Sequence, residues 1–313
     1  MTNIFFTEKK SLEGQKYIFP GLNRFSTALG TMDFWIIFAV MKSPEISVII
    51  STYNATAWLE KVFWGYMAQD FKDFELVIAD DGSTAETAQL VKKFQEKADF
   101  PIVHVWQEDE GFQKSRILNK AIITCKAPYI VMSDGDCIPR KDFLMVHHRK
   151  KEKGYFLSGG YFMLSMHISE AITKDAILSG NCFDLNWLKA NGLRGSFKNN
   201  KLTSGKLKAG ILNTLTPTNA SWNGHNASGW KEDIIKVNGF DERMQYGGQD
   251  RELGERLFNL GLKSKQIRYS AICIHLDHPR GYKNEASIQK NKAIRKSTRD
   301  EKKAWTPFGI IKN

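Results

Sequence analysis

Upstream of Glu45 the apolar residues follow no clear period, and from there on they do. The β-branched run Ile46-Ser47-Val48-Ile49-Ile50 predicts a short strand buried on both faces, because the alternation of a half-exposed strand is missing. Ala55 to Ala68 then sets Trp58, Leu59, Val62, Phe63 and Tyr66 on one side of a helix. Phe74 to Ala79 predicts a second strand and Thr84 to Lys97 a second helix. Pro101–Trp106, Gln113–Cys125 and Tyr129–Met132 continue as strand, helix and strand. Strands alternating with helices at this spacing mean a parallel sheet with right-handed crossovers, an α/β layout of the nucleotide-binding type. Ligands of such sheets sit at the carboxyl ends of the strands.

After Lys150 the rhythm is lost. Tyr155 to Met166 reads as one or two strands, and 186–210 as a polar, Gly- and Lys-rich mobile loop. Helices are expected over Lys231–Val237, ended by Asn238-Gly239, and over Gln249–Leu260, ended by Gly261. A last strand is expected over Ser270–Leu276. Met32 to Val40 is apolar but nine residues long and interrupted by Asp33. That is far short of the ~18–20 residues that span a bilayer. The residues before it are too long and too mixed for a signal leader. Residues 1–41 are therefore read as an extension outside the main fold, either a membrane-skimming element or sequence upstream of a natural start at Met41.

Composition changes this picture in two respects. Cys125, Cys137, Cys182 and Cys273 are widely spaced with no C-x-x-C pair, which argues against zinc ribbons and disulfide scaffolds and fits a reducing cytosol. The net charge of +11 is concentrated: six Lys/Arg and no acid lie between Asn186 and Gly210, and residues 280–313 carry +7. The rest of the chain is close to neutral. Such segments suit anionic partners, and a basic tail at 280–313 with Ile288, Ile294, Trp305, Phe308, Ile310 and Ile311 interspersed suits an anionic membrane surface. Nucleic acid is not expected as a partner, since there is no RNP motif, no helix-turn-helix and no aromatic interleaving in the basic segments.

Candidate chemistry falls at three predicted strand ends: Ser51-Thr52-Tyr53-Asn54, Asp80-Asp81-Gly82-Ser83 and Ser133-Asp134-Gly135-Asp136. One such cluster is ordinary turn chemistry. Three at the same edge of one sheet converge on one crevice. There is no G-x-G-x-x-G and no Walker lysine, so the backbone does not cradle phosphates in those ways. Carboxylates facing a diphosphate need a cation between them, and Asp-x-Asp offers hard oxygens to Mg²⁺ or Mn²⁺.

These landmarks resemble the family-2 inverting glycosyltransferases of the GT-A fold. The motifs that carry the resemblance are Val48–Asn54, Ala79–Thr84, Asp109–Ala121, Ser133–Pro139 and Tyr246–Leu257, in order, across about Glu45 to His278. The second half is similar to the β-1,4-galactosyltransferases and bacterial chondroitin-type polymerases through Asn226–Glu242 and the histidine-bearing strand that follows. The resemblance implies a Rossmann-like, mostly parallel sheet flanked by helices. A nucleotide-sugar half at 42–140 would be coupled to an acceptor half at 141–279.

On the donor side it implies Ser51 and Tyr53 at the base, Asp80 and Asp81 on base and ribose, and Arg116, Asn119 and Asp134 supporting the donor. The metal, Mn²⁺ or Mg²⁺, would be held by Asp136 and His275, with His278 the close alternative. Asp250 would be the general base. Tyr246 and Gln249 would contact the acceptor, with Gln249 replacing a glutamate frequent at that position. The implied partners are a nucleotide-diphosphate sugar, UDP-linked by expectation, and a glycan or glycolipid acceptor such as a lipopolysaccharide core or capsule precursor. The implied setting is the cytoplasm, peripheral to the inner face of the membrane.

Overall fold

Side chains of Ile46–Thr52 (β1) alternate between two separate apolar cores. Ile46, Val48 and Ile50 enter one and Ile49 the other. Phe74–Asp80 (β2) does the same, with Leu76 and Ile78 against Val77 and Ala79. This is why both strands read as continuous apolar runs. The computed structural model describes residues 43–279 and 284–312, so the expected extension at 1–41 lies outside the described residues.

Beside β1 and β2 lie Ile102–Trp106 (β3) and Tyr129–Asp134 (β4), and all four pair in parallel. Thr56–Met67 (α1), Ala85–Gln95 (α2) and Lys114–Thr124 (α3) connect them. The register sets Thr52 against Asp80 and Ser51 against Asp134, so the three polar clusters end level. The expected crevice is formed.

Beyond β4 come Cys137–Pro139 (β5), Phe143–Lys150 (α4), Tyr155–Ser158 (β6) and Gly160–Met163 (β7). Short helices follow: Met166–Ala171 (α5), Lys174–Leu178 (α6), Leu185–Ala190 (α7), Asn200–Thr203 (α8) and Lys206–Leu215 (α9). The chain then forms Ala227–Trp230 (β8), Lys231–Lys236 (α10), Gln249–Asn259 (α11), Lys263–Gln266 (β9), Ile272–His275 (β10) and Glu285–Asp300 (α12). The main sheet has the order β3-β2-β1-β4-β8-β6-β9, with β8 antiparallel to both neighbours. A second sheet has the order β5-β10-β7. Tyr155 to Met166 thus supplies one strand to each sheet.

Asn226 ties the two sheets together. Fully buried, it donates from Nδ2 to the carbonyls of Gly160 and Ala271 at 2.9 and 3.0 Å, and its own carbonyl accepts from the Gly159 N–H at 2.7 Å. A Cβ on Gly159 would lie 2.2 Å from the Asn226 side chain, so only glycine fits there.

Two expectations are corrected. The segment 186–210 contains α7, α8 and the start of α9, where a loop was expected. Local caps start the helical turns: Asp184 Oδ1 accepts from the Asn186 and Trp187 N–H groups at 2.9 and 2.8 Å. Few positions there are buried, Leu188 and Asn199 among them, so the apolar period was too sparse to read. Likewise, the described part of 280–313 is bound to the body. The α12 helix packs along α11, and Asn238 donates to the Thr306 and Ile311 carbonyls at 2.7 and 3.0 Å. Lys290, Lys292 and Lys296 of α12 remain exposed.

A buried ion pair fastens this C-terminal half. Arg256 and Glu252, both about 1% exposed, meet at 2.8 Å. Arg256 also donates to the carbonyls of Val237 and Gly239, and the Thr298 hydroxyl of α12 donates to Glu252 at 2.9 Å. Removing one partner strands a buried charge, at a cost of about 3–5 kcal/mol. Arg256→Met should therefore lower unfolding stability by that amount in urea titration, and Glu252→Leu/Arg256→Met should recover part of it. A double variant no more stable than the single one would show that stranded charge is not the cause.

Candidate active site

The turn after β4 is pressed against the end of β1. Gly135 donates its N–H to the Ser51 carbonyl at 2.8 Å, and a Cβ there would lie 3.1 Å from that oxygen and 3.2 Å from the Thr52 hydroxyl. The aspartates on either side of this glycine meet different partners. Asp134 Oδ1 accepts from the Ser51 hydroxyl at 2.6 Å and from Lys114 Nζ at 2.7 Å. Burial works to raise its pKa, but the Lys114 charge and the bonds from Lys114 and Ser51 hold this carboxyl well below the usual range. Burial also opposes the Lys114 charge, yet Asp134 and Asp250 keep this ammonium above the ordinary lysine range.

Asp136 faces two imidazoles instead. Its Oδ2 lies 3.0 Å from His278 Nε2 and 3.7 Å from His275 Nε2, and the two rings stack with centroids 5.6 Å apart. Each histidine uses Nδ1 toward a carbonyl, His275 to Leu276 at 2.7 Å and His278 to Pro279 at 2.9 Å. A carbonyl only accepts, so Nδ1 carries the proton, and a neutral ring then presents an Nε2 lone pair toward Asp136. A carboxylate is also only an acceptor, and acceptors this close call for a proton or a cation between them. Cys137 lies in the same cluster with Sγ donating to Asp136 Oδ1 at 3.3 Å, and burial pushes this thiol well above its ordinary pKa. One carboxylate and two imidazoles are a donor set that could hold a divalent cation.

Beside β1 and β2 the polar side chains mostly hold loops. Asp80 is fully buried, accepting the Ser83 N–H at 2.8 Å and sitting 2.8 Å from His104 Nε2. Asp81 accepts from Gln107 Nε2 and the Gln113 N–H at 2.7 and 2.9 Å, and burial pushes its pKa up to about 6. Between them, a Cβ on Gly82 would lie 2.6 Å from the Asp109 backbone, so the turn packs directly on that loop. Tyr53 is half exposed, its hydroxyl donating to Asp109 at 2.9 Å. Trp106 pairs in register with Asp80 and is equally exposed, its indole donating to the Ser83 carbonyl at 3.0 Å. Two aromatic faces thus flank the Asp80–Ser83 turn.

Asp250 enters from the opposite half, at the start of α11 after Gly247 and Gly248, both at positive φ. Its Oδ1 is buried and has no hydrogen-bond partner among the described residues. A Cβ on Gly224 would lie 3.1 Å from that oxygen, so this glycine makes room for the carboxylate. Burial pushes the Asp250 pKa up to about 6, against the pull of Lys114. His225, beside Gly224, packs edge-on against Tyr161, which also contacts His275. Burial pushes the His225 pKa down to about 4.

The crevice therefore brings together Ser51, Asp134, Asp136, His275, His278 and Asp250, with Tyr53, Asp80 and Asp81 at its far end. Four other sequence candidates lie differently. Arg116 pairs with Glu110 at the surface. Asn119 is buried, exchanging bonds with the Phe240 backbone at 2.7 and 2.9 Å and reaching Glu242 at 2.9 Å. Gln249 accepts the Gly247 N–H at 3.0 Å and braces that turn. Tyr246 packs edge-on against Phe112, with centroids 5.9 Å apart.

The sequence reading missed Lys114, His225 and Trp106. Lys114 left a signal: it stands in the first turn of α3 with no acid there, where the helix dipole disfavours a cation. His225 and Trp106 left none.

Comparison with known proteins agrees with this geometry. Residues 47–163 match the family described as Glycosyl transferase family 2, and residues 219–279 match the N-terminal domain of galactosyltransferase. A chondroitin synthase of Pasteurella multocida is 26% identical over 277 residues, covering 82% of this chain and 27% of that protein. An uncharacterized glycosyltransferase of Bacillus subtilis is 26% identical, covering 79% of this chain and 68% of its own length. The chain thus spans about a quarter of the first relative and two thirds of the second. A mannosyltransferase of Pyrobaculum calidifontis, solved in complex with GDP-Man and Mn²⁺, superimposes with a TM-score of 0.51 at 19% identity, over 77% of this chain and 59% of that one. The fold, the converging crevice and both matches agree: residues 47–163 carry a domain similar to glycosyl transferase family 2, and the mostly parallel, helix-flanked sheet is of the GT-A type.

Proposed function

We propose that the protein moves a sugar from a nucleotide-diphosphate donor, a UDP-sugar, to a hydroxyl of a glycan or glycolipid acceptor, with Asp250 as general base. The observation that carries this reading is the buried, unpartnered Oδ1 of Asp250, a carboxyl raised to about 6 across the crevice from a lowered Asp134. Carboxyls pushed apart in this way mark separate roles. Asp250 accepts the proton of the attacking hydroxyl, and the Gly224 backbone next to it fixes the carboxylate's direction. Lys114 and Asp134 stay charged and order the middle of the crevice. Tyr53 and Trp106 offer flat faces to the nucleobase beside the Asp80–Ser83 turn.

Asp136, His275 and His278 would hold Mn²⁺, which when bound offsets the negative charge developing on the leaving diphosphate. The Mn²⁺ in the mannosyltransferase complex is consistent with this choice. The exposed lysines of α12 keep an anionic membrane surface within the reading.

Three outcomes are expected. Asp250→Asn should retain UDP binding by calorimetry while transfer falls 10²–10⁴-fold, the usual cost of removing a general base. Transfer within threefold of the parent would rule out this base. Chelation by EDTA should abolish transfer, Mn²⁺ should restore it better than Mg²⁺, and Asp136→Ala should stay inactive with either ion. Full turnover in EDTA would remove the metal from the reading. The acidic limb of log kcat/KM should rise with pH through about 6, because Asp250 works only when deprotonated. A profile flat from pH 5 to 8, with chemistry rate-limiting, would contradict that assignment.

A further inference from the structure

Beyond Asp250 the crevice opens into a cavity of about 840 Å³, walled by β7 and by segments 194–201, 218–225 and 248–251. Arg194, Lys198, Lys201, Arg251 and Arg268 line it, and among the described residues Asp250 is the one acid on its walls. None of these five cations forms an ion pair among the described residues.

Two of them are held at a cost. Lys201 is half-buried, its ammonium donating to the Tyr161 carbonyl at 2.5 Å. Burial, together with the Arg268 and Lys198 charges, pushes its pKa down to about 8. Arg268 donates to the Thr218 hydroxyl, and its Nε is buried with no partner among the described residues. A side chain on Gly160 would crowd Arg268, lying 3.3 Å from Nε, so the backbone there leaves room for the guanidinium.

Arg194, Lys198 and Arg251 are exposed to solvent, but the partly buried Lys201 and Arg268 repel each other, which is unfavourable unless an anion joins them. A neutral saccharide offers hydroxyls, which satisfy a donor but leave the charge repulsion in place. A carboxylate or phosphate relieves both and suits the flat guanidinium fork. The donor's own diphosphate is expected beside the cation held by Asp136, His275 and His278, none of which lines this cavity. From these observations we propose that the cavity seats an acceptor carrying an oxyanion, a carboxylate or a phosphate ester, on or next to the sugar whose hydroxyl is glycosylated. This rests on the reading of Asp250 as the base, since that residue fixes which side of the crevice the acceptor occupies.

The test uses the full chain saturated with Mn²⁺ and UDP, so that the donor's phosphate positions are filled. Saturation-transfer NMR titrations compare p-nitrophenyl β-glucuronide with p-nitrophenyl β-glucoside, and glucose 6-phosphate with glucose. At least one acidic probe should bind about tenfold more tightly than its neutral counterpart, and the arm that does so identifies carboxylate or phosphate. Lys201→Gln and Arg268→Gln should each remove most of that preference with UDP affinity unchanged. Lys198→Gln, at an exposed position, should reduce it without risk to folding. Equal affinities within both pairs, including no detectable binding of either acidic probe, overturn the proposal. So does a preference that survives all three substitutions, because the anion then binds elsewhere. Failure of the parent protein to bind UDP would instead strike the donor reading itself.

Discussion

The Lys114 ammonium stands where three carboxylates approach one another, and the arrangement of the crevice depends on it. It bonds Asp134 at 2.7 Å and acts electrostatically on Asp250 and Asp136. Without it, the carboxylates gathered at the end of β4 and the start of α11 would repel, and the least solvated would protonate. With it, Asp134 is fixed in the ionised form while Asp250, farther from compensation, is left with a raised pKa. One cation therefore separates two otherwise similar acids into a fixed charge and a carboxyl that titrates higher. The separation needs no long-range device, only burial and a single ammonium.

The second requirement is that Asp250 and the histidines, from late in the sequence, meet strand ends from its first half. Asn226 satisfies much of it by joining the carbonyls of Gly160 and Ala271, next to the strands that place His275. The Glu252–Arg256 pair satisfies the rest, locking α11 to the 237–239 turn and to α12. Buried polar groups in both places are nearly fully satisfied, which makes such networks specify one geometry rather than several.

Most of the sheet was legible in the sequence because it is built from parallel strands covered on both faces. Ile46 to Ile50 and Phe74 to Ala79 announce that environment through unbroken apolar runs. The convergence of Asp80, Asp134 and Asp250 was legible through motif resemblance more than through physics, since nothing local in Asp250 points across the crevice. Helices between 185 and 215 were not legible: their turns are started by caps at Asp184 and Ser196, and few apolar positions repeat. Asn119 and Gln249 carried polar side chains in functional motifs, yet both brace turns, Asn119 at Phe240 and Gln249 at Gly247. An amide that fits a substrate hydroxyl fits a backbone group equally well, and only the fold decides between them.

The C-terminal segment shows how composition can identify a charge and miss its work. Its lysines and arginines suggested a surface-seeking tail, but α12 also holds the turn that precedes Asp250. Asn291, almost fully buried, donates from one amide to the carbonyls of Gln245, Tyr246 and Gly247 at 3.0, 3.2 and 3.0 Å. Arg295 pairs with Glu255 of α11 and lies where a Cβ on Gly248 would meet it at 3.0 Å. The turn that delivers Asp250 is thus gripped from outside by α12 and from within by Gln249. The basic helix and Asp250 are therefore parts of one mechanical unit. Its exposed lysines face outward because Asn291, Arg295 and Thr298 on its other side hold it to the domain.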